Sequence, residues 1–130
     1  MRRIGFALAL LIGLSACTRP PEDWRVSLEE GRALLENGQA LVFDIREPKE
    51  HATGVAAGTV LLPMSQWNQR LGEIPRDADR PVLLICNTQN RSAKAVQALR
   101  EAGWHDVRYI HGGMSEWARR GWPMGPPSER

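Results

Sequence analysis

The sequence predicts an α/β domain built around a parallel sheet, on three observations. Short apolar runs alternate with stretches of helical pattern from residue 24 to about residue 123, the signature of βα units. Two of those runs, residues 40–45 and 82–85, are almost continuously apolar, as strands covered on both faces must be. Gly, Pro and Asp punctuate the connections, and neither an internal repeat nor a low-complexity tract interrupts the alternation.

Taken in order, Trp24-Arg25-Val26 reads as a small edge strand. Ser27-Leu28-Glu29-Glu30 matches a capping box, with Ser27 as N-cap and Glu30 reaching back, so a helix follows to about Asn37 and Gly38 stops it. Residues 40–45 form a buried strand. Residues 46–58 form a loop with one helical turn after Pro48, which suits a first helical position. Residues 60–62 are a short strand, Ser65 caps a helix through Leu71, and residues 74–80 are a loop rich in Pro and Asp. The alternation then repeats: strand 82–85, helix 92–101 stopped by Ala102-Gly103, strand 107–110, Gly112-Gly113, helix 115–119, and Gly121-Trp122-Pro123 at the end. The five tryptophans are expected in the core or at its edges.

The first residues have a different character. Met1-Arg2-Arg3 is basic, residues 4–14 are almost wholly apolar but short for a bilayer span, and Leu14-Ser15-Ala16-Cys17 follows. That sequence reads as a signal segment over residues 1–16. Leu-Ser-Ala-Cys resembles the lipobox of bacterial lipoproteins, which implies acylation of Cys17 and a lipidated tether over residues 17–23. The rival readings are an uncleaved anchor helix and an ordinary signal peptide with an incidental cysteine. The expected location is the cell envelope, lipid-anchored outside the cytoplasm; Thr18, which is not Asp, favours the periplasmic face of an outer membrane where the cell has one. The domain is placed at residues 24–125 and a tail at residues 126–130.

The chain of 130 residues carries a net charge of +2, which Arg2 and Arg3 supply; without them basic and acidic side chains balance at 15 each. No block of like charge remains, which argues against a nucleic-acid footprint. The two cysteines of an exported chain ordinarily suggest a disulfide. Acylation of Cys17 leaves Cys86 as a lone thiol in an oxidising compartment, which favours a reactive role.

Cys86 stands at the end of the 82–85 strand. It is followed by Asn87-Thr88-Gln89-Asn90-Arg91-Ser92 and then by a helix. A tight loop can aim its backbone N–H groups at one centre, and a helix N-terminus adds partial positive charge; both favour the thiolate, the reactive form of the side chain. Arg91 adds a charge that does not titrate away. The segment around Asp44 and Arg46 ends the other buried strand and is expected on the same rim, where sites of parallel sheets collect. The rival readings are a small buried hydrophobe for Cys86, a helix start or surface ion pair for Arg91, and a pair with Asp44 or Glu50 for Arg46. His51 and His111 read as exposed or capping residues, and no metal-ligand spacing appears.

These residues carry a resemblance. Phe43-Asp44-Ile45-Arg46-Glu47-Pro48-Lys49-Glu50 resembles the Asp-x-Arg segment of single-domain rhodaneses. Cys86 to Ser92, Ala102-Gly103-Trp104 and Gly112-Gly113-Met114-Ser115-Glu116-Trp117 resemble that family's active-site loop, helix end and closing Gly-Gly…Trp, in order, over about residues 24–123. The resemblance implies a rhodanese-like fold with a mainly parallel five-stranded sheet and helices on both faces. It also implies sulfurtransferase chemistry through a Cys86 persulfide, without a cofactor. A small sulfur anion of the thiosulfate type is then the donor, and a thiol, cyanide or a partner protein the acceptor. Asn87, Thr88, Gln89, Asn90, Arg91, Ser92 and Arg46 are the expected substrate-binding residues. The Cys-to-Arg spacing has four intervening residues, one fewer than in related phosphatases and arsenate reductases, so the smaller cavity favours sulfur over phosphorus. The alternatives are a persulfide or redox carrier and a rhodanese-like docking module. Three departures stand out: Gln89 where family loops often carry Gly, Gly54-Val55-Ala56-Ala57-Gly58-Thr59 without the usual His and Pro, and His51 in place of an aromatic residue. If position 89 requires positive φ, Gln89 is strained by about 1 kcal/mol.

Overall fold

The computed structural model describes residues 21–128; the signal segment, Cys17 and most of the tether lie outside the described residues. Five strands, β1 (Arg25–Val26), β2 (Leu41–Asp44), β3 (Val60–Leu61), β4 (Val82–Ile85) and β5 (Val107–Ile110), form one sheet in the order β1-β5-β4-β2-β3. Every pairing is parallel. The helices are α1 (Leu28–Glu36), α2 (Pro48–His51), α3 (Trp67–Arg70), α4 (Asn90–Glu101) and α5 (Gly113–Arg119).

Side-chain alternation along the central strands divides the core in two. Phe43, Val82, Leu84 and Cys86 point to one face, where Ala95, Val96 and Leu99 of α4 cover them and Trp67 of α3 packs alongside. Val42, Leu83, Ile85 and Ile110 point to the other face, against Leu28 of α1 and Met114 and Trp117 of α5. All four β4 residues are buried, which is why that run reads as continuously apolar. The register pairs Asp44 with Ile85 and Leu84 with Tyr109. It therefore brings the ends of β2, β4 and β5 to one rim.

Several boundaries differ from the sequence expectation for local reasons. Ser27 Oγ caps α1 by accepting from Glu30 N–H, and Gly38 ends it at φ +66°. The reciprocal arm of a capping box forms instead at α2, where Glu47 N–H donates to Glu50 Oε1. Ser65 is not a helix cap: it lies in a 3-10 turn, and its N–H and hydroxyl both donate to the Glu47 carboxylate. Helix α4 starts at Asn90, two residues early, because Ala93 N–H already bonds the Gln89 carbonyl. Gln89 itself sits at φ −142°, and no described residue other than glycine has positive φ, so the condition under which Gln89 would be strained is not met. His51, expected at the surface, is buried.

The segment that lacks the family's His and Pro is secured from elsewhere. Val55 and Gly125 exchange backbone hydrogen bonds of 2.8 and 2.9 Å, and Met124 packs into the second core layer. Trp104 closes the opposite face, its indole donating to the Ile74 carbonyl at 2.9 Å while both residues are buried. Replacing Trp104 by Phe leaves that carbonyl without a donor. Urea unfolding at neutral pH should show a loss of about 1–2 kcal/mol with little change in the slope m.

Candidate active site

Cys86 is the first residue after β4, and its side chain is 1 % exposed. Ser92, in the first turn of α4, folds back on it. The Ser92 N–H donates to Cys86 Sγ at 3.4 Å, and the Ser92 hydroxyl lies 3.3 Å from the same sulfur while also reaching the Gln89 carbonyl at 3.2 Å. The loop between them carries Asn87 and Asn90 on the exposed side, with Thr88 and Gln89 half-buried.

A loop can turn its N–H groups inward only if its carbonyls are satisfied outward. The start of α5 does this. Met114 N–H donates to the Cys86 carbonyl and Ser115 N–H to the Asn87 carbonyl, both at 2.8 Å. Gly112 N–H donates to Gln89 Oε1 at 3.3 Å, so the residue that departs from the family pattern ties the loop to the same turn. These are first-turn amides with no partner inside their own helix. The approach is so close that a Cβ on Gly113 would stand 2.2 Å from the Thr88 carbonyl oxygen and 2.4 Å from that of Cys86, and Gly113 also holds φ +62°.

Charges near the rim form two tiers. In the inner one, Asp44 is fully buried at the end of β2. Arg46 turns back on it with Nε 3.0 Å and Nη2 2.7 Å from the carboxylate, and gives its remaining reach to the carbonyls of Glu50 and Gly54. Arg46 is 2 % exposed, so it is not a mouth residue. A buried carboxylate needs a desolvated cation, and Arg46 is held for that purpose. His51 joins this tier with Nε2 3.2 Å from Asp44 Oδ1, without hydrogen-bond alignment and with no other partner.

The outer tier is a two-armed pair. Arg91 Nη1 and Nη2 donate to Glu50 Oε1 and Oε2 at 2.6 and 2.7 Å. The guanidinium holds the Glu50 carboxyl down at about 2, with the Glu47 N–H assisting. A depressed carboxylate contributes stability above its ordinary range and loses it as pH falls, here between about 4.5 and 2. The pair is therefore complete throughout the neutral range. Arg91 also lies near enough to Cys86 and Glu47 for their charges to act on it. The structure thus brings Asn87–Ser92 together around Cys86, and leaves Arg46 behind α2.

A family model described as the Rhodanese-like domain matches residues 27–120. The chain belongs to the rhodanese family. A sulfurtransferase of Allochromatium vinosum is 36% identical over 94 residues, covering 72% of this chain and 86% of that protein. The thiosulfate:glutathione sulfurtransferase of Homo sapiens is 30% identical over 107 residues, covering 73% and 93%. Among solved structures, a rhodanese-related protein from Thermoplasma volcanium superposes with a TM-score of 0.68 at 26% identity, covering 79% of this chain and 98% of that one. A rhodanese domain with sulfurtransferase relatives places the chain in a sulfurtransferase family.

Sequence reasoning missed two features of this rhodanese site. One is the Glu50–Arg91 pair, which joins residues 41 positions apart and leaves no local signature. The other is the bond from Gln89 to Gly112. Replacing Gly113 by Ala should be far more damaging than replacing Gly112, whose added Cβ would meet only the Glu116 side chain at 3.2 Å. Gly113→Ala should lose at least about 2 kcal/mol of stability and roughly a hundredfold in sulfur transfer. Paired melting curves and initial rates for the two variants check this.

Proposed function

We propose that the protein transfers sulfane sulfur through a Cys86 persulfide. The thiolate attacks the outer sulfur of a donor such as thiosulfate. A new bond forms between Cys86 Sγ and that sulfur, the donor's S–S bond breaks, and its electron pair leaves on sulfite. The terminal sulfur of the persulfide is then attacked by a thiophile (cyanide, a thiol or a partner protein's cysteine), and the pair of the second broken bond returns to Cys86. One difficult transfer becomes two easier displacements.

The observation that supports this most is the environment of the sulfur. It ends a buried central strand, its loop carbonyls are drawn outward by α5, and Ser92 presents both an N–H and a hydroxyl to it. The hydroxyl accepts from the thiol while its own proton goes to the Gln89 carbonyl, and it turns to donate once the sulfur is an anion. On this reading Asn87–Ser92 receive the outer sulfur, α4's first turn offsets its charge, and no separate base is needed. The names of the relatives in Allochromatium vinosum and Homo sapiens support the same class of reaction. Attachment through Cys17 sets this chemistry on the outer side of the cytoplasmic membrane.

Incubating the purified domain with thiosulfate should add about 32 Da, one sulfur atom, to Cys86, and cyanide should discharge it. Cys86→Ser should show neither the mass gain nor turnover above background. Full activity in that variant overturns the proposal, and a stable persulfide that only a protein thiol discharges identifies a carrier instead of a turnover enzyme.

A further inference from the structure

We infer that Glu50 is a specificity residue of this site: by occupying both arms of Arg91 it disfavours doubly charged sulfur donors and favours a donor of lower charge, an organic hydropersulfide. The inference rests on the sulfur-transfer reading and concerns which donor that chemistry accepts.

Both arginines expected to attract a dianion are already engaged. Arg46 is sealed behind α2 by Asp44 and two carbonyls. Arg91 is the one beside Cys86, and both of its terminal nitrogens are on Glu50. Two parallel bonds between a guanidinium and a carboxylate make the strongest geometry such a pair can adopt, so a sulfonate oxygen meets only the remaining N–H groups of a cation whose charge Glu50 already offsets. The partner cannot drift away to make room. The Glu50 carbonyl accepts from Arg46, its carboxylate accepts from Glu47 N–H, and Glu47 is fastened in turn to Ser65. Glu47 adds a second negative charge in range of Arg91. Protonation does not open the pair either, since Glu50 is ionised at any neutral pH. A dianion therefore approaches a site where Glu50 neutralises Arg91 and Glu47 adds a further carboxylate.

A hydropersulfide, R–S–SH, needs no cation. The Cys86 thiolate attacks its terminal sulfur, a new S–S bond forms to Cys86 Sγ, the donor's own S–S bond breaks, and its electron pair leaves on R–S⁻. Cys86 keeps the S–SH group with its proton. The leaving thiolate carries one negative charge, where sulfite carries two.

The test is Glu50→Gln, which keeps the shape and the acceptor for Glu47 N–H while removing the charge. Initial rates are measured with thiosulfate and with cysteine hydropersulfide as donors and cyanide as the common acceptor. The ratio of kcat/KM for thiosulfate over hydropersulfide should rise roughly tenfold at low salt, through KM for thiosulfate, and the gain should shrink as salt screens it. An unchanged or lower ratio overturns the inference. Should the variant fail to fold, the wild-type salt profile decides. A site with no free cation should change its thiosulfate kcat/KM less than about twofold between roughly 0.05 and 0.5 M salt, and a steep fall shows a free one. If neither donor sulfurates wild-type Cys86, the transfer reading itself fails, which the mass of the protein shows before any ratio is taken.

Discussion

The hydrogen bonds from Met114 and Ser115 to the carbonyls of Cys86 and Asn87 are the constraint on which the site depends. A six-residue loop carries as many acceptors as donors, so it cannot offer its N–H groups to an anion unless something takes its carbonyls. The amides at the start of α5 lack partners of their own, and the two deficits cancel. The contact requires a residue without a side chain at 113 and a left-handed turn there, which glycine supplies with least cost. Sheet order makes the contact possible. β5 lies beside β4, so the helix that follows β5 begins next to the loop that follows β4.

The polar groups around this frame divide by burial. Asp44, Arg46 and His51 are sealed in, and they fix where α2 begins and how the 46–54 segment leaves the sheet. Breaking that group would leave a fully buried carboxylate without its cation, a defect worth several kcal/mol in comparable cases, about 3–5. Glu50 and Arg91 are half exposed and sit above it. Their contribution to stability is small for that reason. The charge that Glu50 offsets is one that interacts electrostatically with Cys86.

Much of this was legible in the amino-acid sequence, and the exceptions have physical causes. The parallel sheet followed from continuous apolar runs such as Val82–Ile85, because burial on both faces removes the alternation that a half-exposed strand shows. The place of Cys86 at a strand end, before a polar loop and a helix, followed from local pattern as well. The role of Arg46 did not. Sequence spacing puts it on the rim equally well as a substrate ligand or as the partner of Asp44, and only the zero exposure of Asp44 decides. The backbone of Gln89 was not legible either, because the φ of a loop residue depends on its closure, and this loop reaches α4 at φ −142° there without a left-handed turn. Arg91 and Glu50 meet across 41 residues, a distance no periodicity encodes.

The departures from the family pattern have compensations within the same chain. Where the usual His and Pro are missing, the segment around Val55 borrows order from Gly125 and Met124. Where a loop glycine is replaced, the Gln89 amide oxygen bonds to Gly112 and reinforces the contact between loop and α5. That contact is most directly tested by native-state hydrogen exchange at single amides. First-turn helix amides ordinarily exchange fast. Those of Met114 and Ser115 should instead be protected to within about tenfold of the β4 amides; exchange at the rate of an open helix end would contradict the account.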